Sequence, residues 1–98
     1  MNYAELITAD IRLQILRALN QDADYSHNEA IIREVLRLTG HTVGRDRLRT
    51  EIAWLKEQGL VTVEDAGPVW VAKLTVRGAD TATGCVQVPG VKRPGPED

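Results

Sequence analysis

The stretch 41–60, HTVGRDRLRTEIAWLKEQGL, constrains the fold more than any other part of the chain. It reads as a short turn followed by one amphipathic helix over 45–58 with a definite stop. Leu48, Ile52 and Leu55 recur at i, i+4 and i+7, one face of a 3.6-residue period. Gly59 stands where a left-handed C-terminal cap belongs, a conformation that a residue without a Cβ takes cheaply. The opposite face carries Asp46, Arg49, Thr50 and Ala53, with Arg45 and Arg47 flanking it. A buried stripe accounts for the apolar residues. It does not account for three arginines at the start of the helix, where the dipole disfavours cations by a few tenths of a kcal/mol. That local cost implies an anionic partner, and arginines beside a threonine suit a DNA groove.

Ninety-eight residues make one domain with a single modest core. The apolar and charged fractions, 43% and 27%, are those of an ordinary globular chain. No apolar run approaches the roughly 20 residues of a membrane span. The opening MNYAELITADIR has acids and no basic leader, so no signal peptide is expected and a cytoplasmic location follows. The single cysteine, Cys85, excludes an internal disulfide framework and fits a reducing compartment, with an inert thiol.

The net charge of −2 counts against a nucleic-acid partner, since DNA binders usually carry a basic footprint. The charge is unevenly placed, however. Residues 1–31 hold five acids against two arginines, whereas residues 33–49 hold Arg33, Arg37, Arg45, Arg47 and Arg49 against Glu34 and Asp46. With screening over about 8–10 Å, a phosphate responds to the local patch more than to the distant total.

Residues 3–20 are helical in propensity, and Ile7, Ile11, Ile15, Ala18 and Leu19 share a face broad enough for a central helix. Thr8 or Asp10 would cap a shorter version of it. After the polar loop QDADYS, Ser26 and Glu29 form a capping-box pattern. Ile31, Val35 and Leu38 then repeat at helical spacing, with Ile32 and Leu36 beside them, and Gly40 ends this second helix. Val43 is the buried anchor expected of the turn, and Gly44 is the N-cap of the third helix. Beyond Gly59 the period changes to two. Residues 60–64 and 69–74 flank the turn Asp65-Ala66-Gly67-Pro68, which predicts a β-hairpin. Thr75 caps a short last helix weakened by Gly78. From Val86 the tail holds all but one of the four prolines, and is expected to be mobile or docked on a partner.

The predicted order is α-α-α-β-β-α, mainly α with a small β-hairpin: one domain over 1–84 and a flexible Pro/Gly-rich tail over 85–98. With Leu48, Ile52, Leu55, the run Glu57-Gln58-Gly59-Leu60-Val61 and the segment Lys73–Gly78, this order resembles the winged helix-turn-helix superfamily, in its compact ArsR and MarR-like forms. The run GRDRLRTEIAWLKEQGLVTVEDAG and the PGVKRP tail also look like small winged-helix proteins of Mu-like prophages. The resemblance covers about residues 8–84. It implies that the helix from Arg45 is a recognition helix lying in the major groove of double-stranded DNA. Arg45 and Arg49 would then read guanine edges, each worth about 1–3 kcal/mol of discrimination. Thr50 would meet a thymine methyl or a phosphate, and Arg47 and Thr42 the backbone. A homodimer spanning two half-sites, and a role in transcription regulation, follow from the same resemblance.

Other readings stand beside these. The arginines are otherwise solvated charges, partly paired with Asp46 and Glu51. The hairpin tip, Glu64-Asp65-Ala66-Gly67-Pro68, is acidic where a DNA-binding wing is basic, so it stays off DNA or serves another surface. Trp54 lies off the apolar stripe, and either covers the core edge or contacts a dimer mate or partner. Trp70 faces opposite to Val69 and Val71. His27, His41 and Cys85 show no metal-ligand spacing, so no metal or other cofactor is expected, and no small-molecule effector is identified. No nucleophile–base arrangement or phosphate loop points to an enzyme. The competing function is an assembly or protein-interaction module of phage type, on the same fold and without DNA binding.

Overall fold

A computed structural model describes residues 1–96; Glu97 and Asp98, the end of the predicted tail, lie outside the described residues. The elements run α1 (Tyr3–Asn20), β1 (Ser26–Asn28), α2 (Glu29–Leu38), α3 (Arg45–Glu57), β2 (Val61–Ala66), β3 (Val69–Leu74) and α4 (Val76–Thr83). About half of the described chain is helical, and the strands form one antiparallel sheet in the order β1-β3-β2. β2 and β3 pair from Val61↔Leu74 to Ala66↔Val69, as the hairpin pattern predicts.

The expected order lacked β1, and this is the first correction. Ser26, His27 and Asn28 pair with Lys73, Ala72 and Val71. The three-residue strand is too short to show a period of two. It is set up by a tight turn in which Asp22 accepts from the amides of Asp24 (2.8 Å) and Ser26 (3.4 Å), with Tyr25 at φ 58°. The predicted capping box also fails. Ser26 is already in the strand, and Asn28 caps α2 by accepting from the Ile31 amide at 2.9 Å. Glu29 is thereby free for a different task. α1 starts early, capped by Asn2, rather than at Thr8 or Asp10.

α1 packs against α2, α3, α4 and β3, with Ile11, Leu13, Ile15, Leu16 and Leu19 buried. α3 contributes Leu48, Ile52 and Leu55, the predicted stripe, and Val43 packs against the same core as anchor of the turn. α2 is rotated from its obvious stripe. Ile32 and Leu36 face inward, while Ile31 and Leu38 are exposed and Val35 is partly so. Gly78 lets α4 approach the start of β2: a Cβ there would lie 2.0 Å from the Leu60 carbonyl oxygen. The glycine that weakens the helix in isolation is what allows it to dock.

The predicted tail is the last correction. Val88 and Val91 are buried in the core cluster, and the Lys92 amide donates to the Ala9 carbonyl at 3.1 Å. Residues 85–96 thus lie along the body instead of projecting from it, because two valines spaced by a Pro-Gly turn give the segment an apolar underside. Among the described residues no helix is long and apolar enough to cross a membrane.

Candidate functional site

The N-cap of α3 is Gly44, which has no side chain to cap it, and the arginines that follow tie the helix to its neighbours. The key to those contacts is Glu29. At i−3 and i−7 from Ile32 and Leu36 it shares their inward face and is 5% exposed. Its carboxylate accepts from Arg45 Nε (2.9 Å), Arg49 Nε (3.0 Å to Oε2, 3.2 Å to Oε1) and the Trp70 amide (2.8 Å). Burial alone pushes this carboxyl up. The bonds from Arg49 and the Trp70 amide, with the charges of Arg49 and Arg45, outweigh that and hold it below its ordinary value. Both arginines also donate through Nη2 to the Pro68 carbonyl, at 2.6 Å from Arg45 and 3.5 Å from Arg49. The Arg49 guanidinium lies 4.6 Å from the centroid of the Trp70 ring. One carboxylate and one carbonyl therefore tie α2, α3 and the hairpin turn together.

A second buried carboxylate does the same on the other side. Glu51, 4% exposed, accepts from Arg47 Nε and Arg12 Nε, both at 2.8 Å. Arg47 Nη2 donates to Thr8 Oγ1 at 2.8 Å. Arg12 lies over the Trp54 ring, 3.7 Å from its centroid, and donates to the Gly90 carbonyl at 3.1 Å. Gly90 sits at φ 99°, and a Cβ there would come within 2.8 Å of Trp54 and 2.9 Å of Arg12 Nη1. Trp54 is partly buried against the core, under Arg12 and beside the returning tail.

The residues predicted to face DNA are thus distributed differently from the expectation. Arg45 and Arg49 are bound to the buried Glu29 and Arg47 to the buried Glu51, so of the two partners the alternative reading named, Asp46 and Glu51, these pairs use Glu51 and add Glu29. Thr50 is exposed, and its hydroxyl donates to the Asp46 carbonyl at 3.0 Å. Thr42 is exposed on the α2–α3 turn, in a groove of about 210 Å³ shared with Arg33, Arg37 and His41. His41 Nε2 lies 2.6 Å from Asp10 Oδ2, and Lys92 Nζ is 3.6 Å from the other oxygen. Burial raises the Asp10 carboxyl, but hydrogen bonds from His41 and Gln14 and the charges of Lys92 and His41 bring it below its ordinary value. Among the described residues, no three His, Cys, Asp or Glu side chains group as a metal site would require.

Sequence reasoning missed Arg12 and Gly90, gave Glu29 to a capping box, and offered Glu51 as a partner of the arginines without its burial or its bond to Arg12. For both glutamates the signal was present. Glu51 is three residues beyond Leu48 and four before Leu55, and Glu29 is in phase with Ile32 and Leu36, so both acids fall on apolar faces. For Arg12 and Gly90 nothing local pointed to their contact across 78 residues of sequence.

The fold and these two clusters define a small, mainly helical domain with a three-stranded sheet, stitched by arginines bound to two buried glutamates. The chain is 48% identical over 92 residues to the uncharacterized protein gp26 of Escherichia phage Mu, covering 94% of this chain and 95% of that protein. It is 42% identical over 99 residues to an uncharacterized protein of Haemophilus influenzae, covering all of this chain and 96% of that protein. It belongs to the family of small phage-related proteins that these two represent. No family model matches the chain. No solved structure matches it.

Proposed function

We propose that this chain is a protein-interaction module of phage-type assembly, carried on a winged-helix frame and not reading DNA with α3. The observation that carries the proposal is the engagement of Arg45, Arg47 and Arg49 by two buried carboxylates, which commits the would-be recognition face to the protein itself. The succession α2, turn, α3 and hairpin supports the winged-helix comparison. The acidic, exposed Glu64 and Asp65 of the hairpin repel phosphate. On α2, Ile31, Val35 and Leu38 present an apolar stripe outward, which is the kind of face that takes a protein partner. Similarity to an uncharacterized protein of phage Mu supports the phage context of this reading.

The reading as a DNA-binding regulator keeps one observation in its favour, the 55% exposure of the Arg45 side chain. A titration of random-sequence duplex DNA at two salt concentrations, with light scattering on the free protein for its oligomeric state, separates the two. The module reading expects only weak, non-specific association at low salt, unchanged by Arg45→Ala with Arg49→Ala. Binding that weakens steeply with salt and disappears on Arg45→Ala with Arg49→Ala would overturn it in favour of a DNA-binding protein.

A further inference from the structure

Arg45 and Arg49 are neighbours on the surface, with side chains 55% and 27% exposed, yet both are held from beneath by one carboxylate that is almost wholly buried. Their Nη2 groups converge on the Pro68 carbonyl. A carboxylate that accepts from two guanidinium groups offers what a DNA phosphate offers: one negative charge spread over two oxygens. Being part of the chain, it needs no encounter and has already lost its translational freedom, so it competes at a high effective concentration. A phosphate that drew the arginines away would also leave the buried Glu29 charge with no cation beside it, which is strongly unfavourable.

We propose that Glu29 is an internal counter-anion masking a latent phosphate-binding face made by Arg45 and Arg49, and that this mask keeps duplex DNA off α3. The proposal rests on the reading above, that the wild-type chain does not take DNA there. Trp70 strengthens the mask by donating its amide to Glu29 and lying against the Arg49 guanidinium. The charge of one buried side chain, and not a shortage of cations, sets the behaviour of the surface.

The test is Glu29→Gln, which removes the charge and keeps the shape and one carbonyl acceptor. Random-sequence duplex DNA at low salt should bind this variant at least about 10-fold more tightly than the wild-type chain. The log–log salt slope should steepen by roughly 1–2, about 0.9 for each phosphate contacted. Adding Arg45→Ala should remove the gain. Circular dichroism and a cooperative melt establish that the variant is folded. Should Glu29→Gln alone fail to fold, Glu29→Gln with Arg49→Met removes the charge together with one of its donors. That double variant should show a smaller gain through Arg45. A folded variant whose affinity stays within about 2-fold of wild type, with an unchanged salt slope, overturns the mask and leaves the module reading intact. Tight binding by the wild-type chain, lost with Arg45 and Arg49, overturns the module reading itself.

Discussion

Arg12 of α1 and Glu51 of α3 are 39 residues apart in sequence and meet at 2.8 Å, with Arg47 donating to the other carboxylate oxygen. The Glu51 side chain is 5% exposed and that of Arg12 16%, whereas Arg47 at 43% still reaches water. Removing the acid therefore strands one cation and releases the other. Glu51→Ala should destabilise the fold by about 2–4 kcal/mol, since breaking a buried pair leaves an uncompensated charge. Arg47→Ala should cost under about 1 kcal/mol, as an exposed partner usually does. Thermal unfolding by circular dichroism measures both, and equal losses would contradict this asymmetry.

Gly78 and Gly44 should respond in opposite ways to an added side chain. A Cβ at Gly78 would lie 2.0 Å from the Leu60 oxygen and 2.7 Å from Leu74 Cδ1, and the closer of these atoms is backbone. Gly78→Ala should cost at least about 3 kcal/mol, at the upper end of overpacking penalties. Gly44, at φ −81°, has nothing within 4 Å of such a Cβ and caps α3 without a side chain. Gly44→Ser should stabilise by a few tenths of a kcal/mol through a new cap bond. Urea midpoints for the two variants give the comparison, and a neutral Gly78→Ala would refute the close approach of α4.

Four helices, the hairpin and the buried stripe of α3 could be read from the chain because each rests on local periodicity or turn chemistry. Leu48, Ile52 and Leu55 needed nothing beyond their spacing. β1 was not legible, since its three residues acquire their strand character from β3 and not from their own pattern. α2 misled for a related reason: the apolar repeat Ile31, Val35, Leu38 points outward, while the inward face includes an acid whose burial makes sense only once Arg45 and Arg49 arrive from α3. Prolines and glycines suggested a mobile tail, but Val88 and Val91 bury against helices that lie far earlier in the sequence. The arginines of α3 were recognised as needing anions. Glu51, four residues beyond Arg47, could be offered as one of those anions from spacing alone, whereas Glu29 reaches Arg45 and Arg49 from α2 only through the tertiary fold.

Acid should loosen the protein through Glu29 and Asp10. Each carboxyl is held below its unfolded value, 4.5 for Glu29 and 3.8 for Asp10, so the folded state binds fewer protons on acidification. The stability each contributes is complete above its unfolded value and is lost as the pH falls through the lower folded value. Urea midpoints should therefore decline from about pH 5 downward, by at most about 1.4 kcal/mol per pH unit for each group. Glu34, although also lowered by Arg37, is exposed and screened, so it adds little. Glu29→Gln should make the acid limb shallower while reducing stability at neutral pH. An unchanged limb in that variant would show that other groups govern it.

The segment after α4 offers the most direct check on the tertiary picture. It places Val88 and Val91 in the core, gives the Gly90 carbonyl to Arg12, and brings Lys92 to Asp10. Full burial of a valine contributes about 1.5–3 kcal/mol, so truncation after Gly84 should forfeit roughly 3–6 kcal/mol from the two valines. At about 4–8 °C per kcal/mol for a domain of this size, Tm should fall by more than about 12 °C. The loss should come with a red shift in tryptophan emission, because Trp54 would lose its cover. Gly90→Ala is the finer probe: the left-handed backbone and the 2.8 Å approach to Trp54 both oppose a Cβ. It should reproduce part of the truncation's effect, by about 1–3 kcal/mol. A truncated chain that melts within about 3 °C of the full-length protein would mean that the valines contribute almost nothing, and the segment would then be a separable arm rather than part of the core.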